Sequence, residues 1–266
     1  MSATGMRALP AGRRPLAGFG PLLGKELREI VRTWRLYVVP GAVVFFALSG
    51  PVTARFQKAL VESVLGSAAG VPDPTALDSW AQWAKNLQQL GLMVLIVSLA
   101  GVVSAERRQG TALLVLTKPV SRAAFVLAKG AASFGLVVVA TVVGALLTWG
   151  LTAALFGSAD VVPLLRATGV WLVLAMLFVA VMIALSAALG STAAAAGVGL
   201  GVLVALSLLS LWGPAARYSP AGLPGLVGTL ATGATTADVA WPLVTGGCAV
   251  AACLALAVLA VRRMPL

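Results

Sequence analysis

Apolar residues gather along this chain into six long stretches free of Asp, Glu, Lys and Arg, and the intervals between them hold the charges and most of the prolines. The stretches cover about 36–54, 87–105, 130–156, 168–189, 197–212 and 241–261. Uncharged runs of about 20 residues match the hydrocarbon thickness of a bilayer at helical rise, so each predicts a transmembrane helix. Pro40 and Pro51 predict a kinked first span. Only a few residues around Gly190-Ser191-Thr192 join spans four and five, which predicts a tight antiparallel hairpin.

Ahead of the first span the period changes. Phe19, Leu22, Leu23, Leu27, Ile30, Val31 and Trp34 recur at three and four residues, while Lys25, Glu26, Arg28, Glu29, Arg32 and Arg35 fill the other face. This predicts a basic amphipathic helix over 19–35, starting near Gly20-Pro21 and lying in the membrane interface with Trp34 at headgroup level. Residues 1–18 read as a loose tail. Arg13-Arg14 imitates a twin-arginine export signal, but the apolar run after it begins only at Leu36.

The loop between spans two and three carries a second pattern. Glu106-Arg107-Arg108-Gln109-Gly110-Thr111 precedes the short apolar run Ala112–Leu116, and Lys118-Pro119 stops it. Thr111 and Ser121 are placed to cap helices. The result is a short helix at the membrane surface, too short to span. It reads either as an ordinary interfacial helix or as a docking element for a cytoplasmic partner.

Composition agrees with a membrane protein. The 266 residues are 60% apolar and only 10% charged, against about 25% charged in a soluble domain. That excludes both an ordinary soluble globule and a disordered chain. The net charge of +11 invites a nucleic-acid reading, but position removes the need for one. With the N-terminus inside, the outer segments' five basic and five acidic residues cancel, and the whole net charge lies on the inner face. This is the positive-inside distribution, with both termini cytoplasmic.

Catalytic chemistry is hard to assemble. No histidine is present, which removes Ser-His triads, His-based zinc sites and imidazole acid–base work. Cys248 and Cys253, five apart in an apolar stretch, read as small buried residues. The segment Gly18–Glu26 imitates a phosphate-binding loop around Gly24-Lys25, but Phe19 stands where the first Gly belongs and Glu26 where the magnesium-binding hydroxyl belongs. Span polarity is limited to hydroxyls, among them Ser98, Thr141, Thr148 and Ser186, expected to bond the preceding turn of their own helix. Gly197 and Gly201 form a G-x-x-x-G step in span five, a surface for close helix approach within the chain or between copies.

Three stretches resemble the membrane subunits of type-2 ABC exporters: GKELREIVRTWRLYVVP at 24–40, GVVSAERRQGTALLVLTKPVSRAAFVLAKG at 101–130, and the six-span layout with a Gly/Pro-rich outer segment before the last span. The resemblance implies a single all-α permease domain over 1–266, with 19–35 as interfacial helix and about 106–118 as coupling helix. It implies ATPase-facing contacts at Glu106, Arg107, Arg108, Gly110, Thr111, Lys118 and Pro119, and an outer re-entrant element over 213–240. It also implies a dimer with a second permease copy or paralogue, separate cytoplasmic ATPase subunits that hold ATP and magnesium, and the inner membrane of a bacterium as the location. No cofactor and no nucleic acid is expected on this chain. The substrate expected for charge-free spans is hydrophobic or amphiphilic. An ATP-independent channel or membrane scaffold is the competing expectation.

Overall fold

The computed structural model describes residues 16–66, 72–110, 120–157, 159–235 and 238–263. Among these residues every regular element is helical. The helices are α1 (Phe19–Arg32), α2 (Arg35–Leu65), α3 (Ala76–Asn86), α4 (Leu92–Leu99), α5 (Ser104–Arg108), α6 (Arg122–Phe156), α7 (Val162–Leu189), α8 (Thr192–Leu209), α9 (Gly213–Tyr218), α10 (Leu223–Ala231) and α11 (Ala240–Arg262). Six helical segments are long and apolar enough to cross a bilayer: Arg35–Val64, Ala76–Arg108, Arg122–Phe156, Val162–Leu189, Thr192–Leu209 and Ala240–Arg262. The protein is an all-α, multi-pass membrane protein.

Span two is the most irregular. It begins at Ala76, well before the apolar run at 87, and passes through a π-turn at Leu87–Gly91 between α3 and α4. Polar Gln82, Lys85 and Asn86 hide this start from a hydropathy reading. Trp80 and Trp83 reveal it, since both are fully buried. Their indole N–H groups donate to the Asp160 carbonyl and to Thr168 Oγ1, each at 3.2 Å. Buried polar groups need such partners, so the two tryptophans fix α3 against the start of α7. Span one is also longer than the hydropathy run, reaching Leu65 with Pro40 and Pro51 inside it.

The two ends of the bundle differ. At one end Lys25, Glu106 and Lys129 meet, Arg108 donates to Thr192 Oγ1 at 2.7 Å, and Arg122 donates to the Arg262 carbonyl. We call this the basic end. At the far end Arg55 lies over the Phe156 ring at 5.8 Å, and Lys58 pairs with Asp73 at 2.7 Å.

Between spans five and six the chain dips back into the bundle from the far end. Gly233, just after α10, sits beside Pro163 at the start of α7. Leu223, which opens α10, lies beside Gly246 and Val173. Val173 is about 16 Å along α7 from its far end at 1.5 Å per residue, so the element is re-entrant. Backbone at that depth needs internal partners. Ser219 supplies one by accepting from Ala221 N at 3.2 Å while donating to the Ala215 carbonyl at 2.7 Å. The turn requires glycine at 222, where a Cβ would fall 1.9 Å from the Ala216 carbonyl oxygen. Backbone cannot yield as a side chain does. Gly222→Ala is expected to cost about 1–3 kcal/mol and to loosen this element selectively. Faster labelling of a cysteine placed at Leu223, with the rest of the fold intact, is the result that checks it.

Candidate functional site

At the basic end the charged residues of α1, α5 and α6 do not face water as a group. Lys129 stands about 10 Å inside α6, counted from Arg122 at helical rise, and is only 1% exposed. A buried ammonium is tolerated only with charged and hydrogen-bonding partners. Lys129 has them. Its Nζ lies 2.9 and 3.0 Å from the two carboxylate oxygens of Glu26 on α1, and 2.9 Å from Glu106 Oε2 on α5. The Phe125 ring, with its centroid 5.1 Å away, covers another side.

Lys25 closes the network from the surface. Its ammonium touches Glu106, and lies 2.9 Å from Glu29 and 3.3 Å from Glu26. Partial burial alone would lower the Lys25 pKa, but the hydrogen bonds to Glu106 and Glu29, with the nearby Glu26 charge, hold it above the ordinary lysine range. Burial likewise pushes Glu29 upward, yet the Lys25 hydrogen bond and the charges of Lys129, Lys25 and Arg35 bring it below the usual carboxylate range. Carboxylate oxygens of Glu26, Glu29 and Glu106 gather within 4.8 Å of one another, a set that could receive a cation. Here two lysine ammoniums stand among them.

This geometry revises the reading of α1. Its buried stripe is Leu22, Glu26 and Ile30, one residue per turn. Glu26, placed on the polar face by the sequence pattern, is 5% exposed, while the apolar Leu27, Val31 and Trp34 remain open at 47%, 59% and 52%. The α1 contact with the bundle therefore includes an acid between Leu22 and Ile30, while the apolar Leu27 and Val31 are left uncovered. Arg28 and Arg32 are also exposed, as an interfacial helix requires.

The join between α4 and α5 has its own support. Ser186 on α7 is fully buried and reaches across to the broken backbone at 100–104. Its Oγ accepts from Val103 N at 3.1 Å and Ser104 N at 3.0 Å, and donates to the Ala100 carbonyl at 2.9 Å. The expected bond to its own helix is thus replaced by a tertiary one. Only an unusual serine near a helix end, opposite a Gly-containing break, could have signalled it.

The predicted contact residues separate into two sets. Glu106, 7% exposed, faces inward to the lysines. Arg107, Arg108 and Gly110 face outward, with Gly110 in a left-handed conformation at φ 72°. Thr111, Lys118 and Pro119, with the body of the expected coupling helix, lie outside the described residues. Ser121 caps α6 as expected, accepting from Ala124 N at 2.9 Å. Gly197 and Gly201 are exposed, and a Cβ at either would meet nothing within 4 Å. The close approach inside the chain occurs instead at Gly199, where a Cβ would come within 2.5 Å of Met182 Sδ. Lys129 was absent from the predicted site residues; a lysine one position before an apolar run looks like a surface anchor.

Removing one member of a buried charge network leaves the others unpaired, typically at about 3–5 kcal/mol. Lys129→Met is expected to lower the thermal stability of the detergent-solubilised protein by that order. Adding Glu26→Gln to it should recover most of the loss, because the surplus carboxylate is then neutral. Melting curves of the single and double variants check this, and strict additivity would contradict it.

Comparison with known proteins supplies a family. A relative in Bacillus subtilis (strain 168), the uncharacterized transmembrane protein YxlG, is 24% identical over 209 residues, which covers 75% of this chain and 80% of that one. The family described as "ABC-2 family transporter protein" matches residues 21–217, a stretch that runs from α1 through the ion network and the first five spans into α9. With that match over most of its length, the chain belongs to the ABC-2 family of transporter proteins.

Proposed function

We propose that this chain is the permease subunit of an ATP-driven exporter in a bacterial cytoplasmic membrane, working as a dimer with separate ABC ATPase subunits on the cytoplasmic side. The positive-inside rule supports a cytoplasmic assignment for the basic end. One observation carries the coupling part of the reading. The ion network of Lys25, Glu26, Glu29, Glu106 and Lys129 joins α1, α5 and the start of α6, and so anchors the helices on either side of the segment 109–121. Force applied to that segment reaches α1 and span three together, because moving α5 alone would break paired, buried charges.

In this reading Glu106 is a positioning residue, and Arg107 and Arg108 are the outward contacts for the ATPase. ATP and magnesium belong to the partner; this chain contributes shape. Thr148 donates to the Gly144 carbonyl at 2.9 Å and Thr152 to the Thr148 carbonyl at 2.7 Å. The buried Ser98 and Thr141 hydroxyls have no hydrogen-bond partner among the described residues, so the expected bond to the preceding turn forms at only some of these positions. The long charge-free runs of the spans suit a hydrophobic or amphiphilic cargo. The exposed Gly197/Gly201 face on α8 suits close approach of a second permease copy.

Reconstitution with a co-purified ATPase subunit tests the reading. Arg107→Ala with Arg108→Ala is expected to weaken association or coupled ATP hydrolysis roughly tenfold or more, about 1.4 kcal/mol, with the melting temperature little changed. Unaltered association and coupling would sink the assignment. Cargo movement without any ATPase would favour the channel reading instead.

A further inference from the structure

Among the described residues an apolar groove shares no lining residue with the ion network or the re-entrant element. It encloses about 450 Å³ between α6, α7, α11 and the start of α1. Leu16, Phe19, Gly130, Phe134, Met176 and Leu254 are among its walls, and no charged or hydroxyl side chain lines it. The space exists because α6 presents Gly130, Ala131 and Gly135 there, opposite Ala180 of α7. A Cβ at Gly135 would meet nothing within 4 Å.

Depth identifies the occupant. Residues 127–135 lie about 8–20 Å in from the start of α6, and Val250 and Leu254 about 12–18 Å before the end of α11. One leaflet of hydrocarbon is about 15 Å thick. The groove therefore spans the acyl region of the leaflet at the basic end. Arg122 and Arg262 stand at that end, where the Arg122 guanidinium donates to the Arg262 carbonyl and the Ser121 N–H donates to the Ala17 carbonyl at 3.0 Å, beside Leu16. No carboxylate pairs with either arginine among the described residues.

From this juxtaposition we propose that the groove holds an acyl chain of an anionic phospholipid from the leaflet at the basic end, with its phosphate at Arg122 and Arg262. An apolar tail buries in a preformed, charge-free cleft, and guanidiniums without a carboxylate partner at the same end of α6 and α11 favour a negative headgroup. The site does not depend on the ATPase assignment. A second copy of the chain is the less suited occupant, since the exposed Gly197/Gly201 face belongs to α8, which does not line this groove.

Native mass spectrometry of the full-length chain tests the site, titrated in detergent with phosphatidylglycerol or phosphatidylcholine of matched acyl chains. The native chain is expected to retain phosphatidylglycerol at least several-fold better than phosphatidylcholine. Ala131→Trp should remove both adducts, and Gly135→Leu provides a second filling variant in case the first fails to fold. Arg122→Gln with Arg262→Gln should abolish the preference while leaving residual binding. Equal retention of the two lipids by the native chain, or phosphatidylglycerol binding indifferent to both filling variants, overturns the proposal. So does conversion of a dimer to a monomer by Ala131→Trp, which would place a second copy in the groove.

Discussion

A lysine ammonium withdrawn from water must be surrounded by negative charge, and in this protein that requirement organises the whole basic end. Lys129 is carried inward by α6, so carboxylates have to be brought to it from elsewhere in the chain. Glu26 comes from α1 and Glu106 from α5, and Lys25 balances the surplus acid from the surface side. Three helices that are separated in sequence are thereby held in one register. Apolar packing alone would tolerate sliding between them, because one Leu or Ile contact differs little from the next. A charge network with bonds near 2.9 Å does not.

Neutral polar groups do the same work elsewhere in the bundle. Ser186 fills the hydrogen-bonding needs of the break before α5, and Trp80 and Trp83 tie α3 to the loop and helix that follow span three. Between these fixed points the helices approach through small residues. A Cβ at Gly144 would come within 2.6 Å of both Trp83 and Val43, and one at Gly199 would strike Met182. Lipid offers no hydrophobic drive for helices to associate, so close van der Waals contact and buried hydrogen bonds carry the packing.

These anchors also define which parts of the molecule are left unpartnered. The Leu27 and Val31 side of α1, the Gly197/Gly201 face of α8 and the apolar groove near Gly130 all remain open in the single chain. In a soluble protein such surfaces would be liabilities. In a membrane such surfaces can be covered without water, and the proposed covers differ: interface for α1, a second copy for α8 and a lipid chain for the groove.

The sequence by itself determined the solvent and the count of crossings. Long charge-free runs have only one stable setting, a helix in hydrocarbon, and a basic amphipathic lead-in has few others. It also marked the N-cap at Ser121, since that is local chemistry. Only the tertiary structure decided that Glu26 faces the bundle while Leu27, Val31 and Trp34 do not, that Lys129 is interior, and that span two begins at Ala76. The physical reason is common to all of these. A polar residue's place depends on whether a partner from a distant segment arrives to satisfy it, and hydropathy, which scores residues singly, contains no information about that arrival.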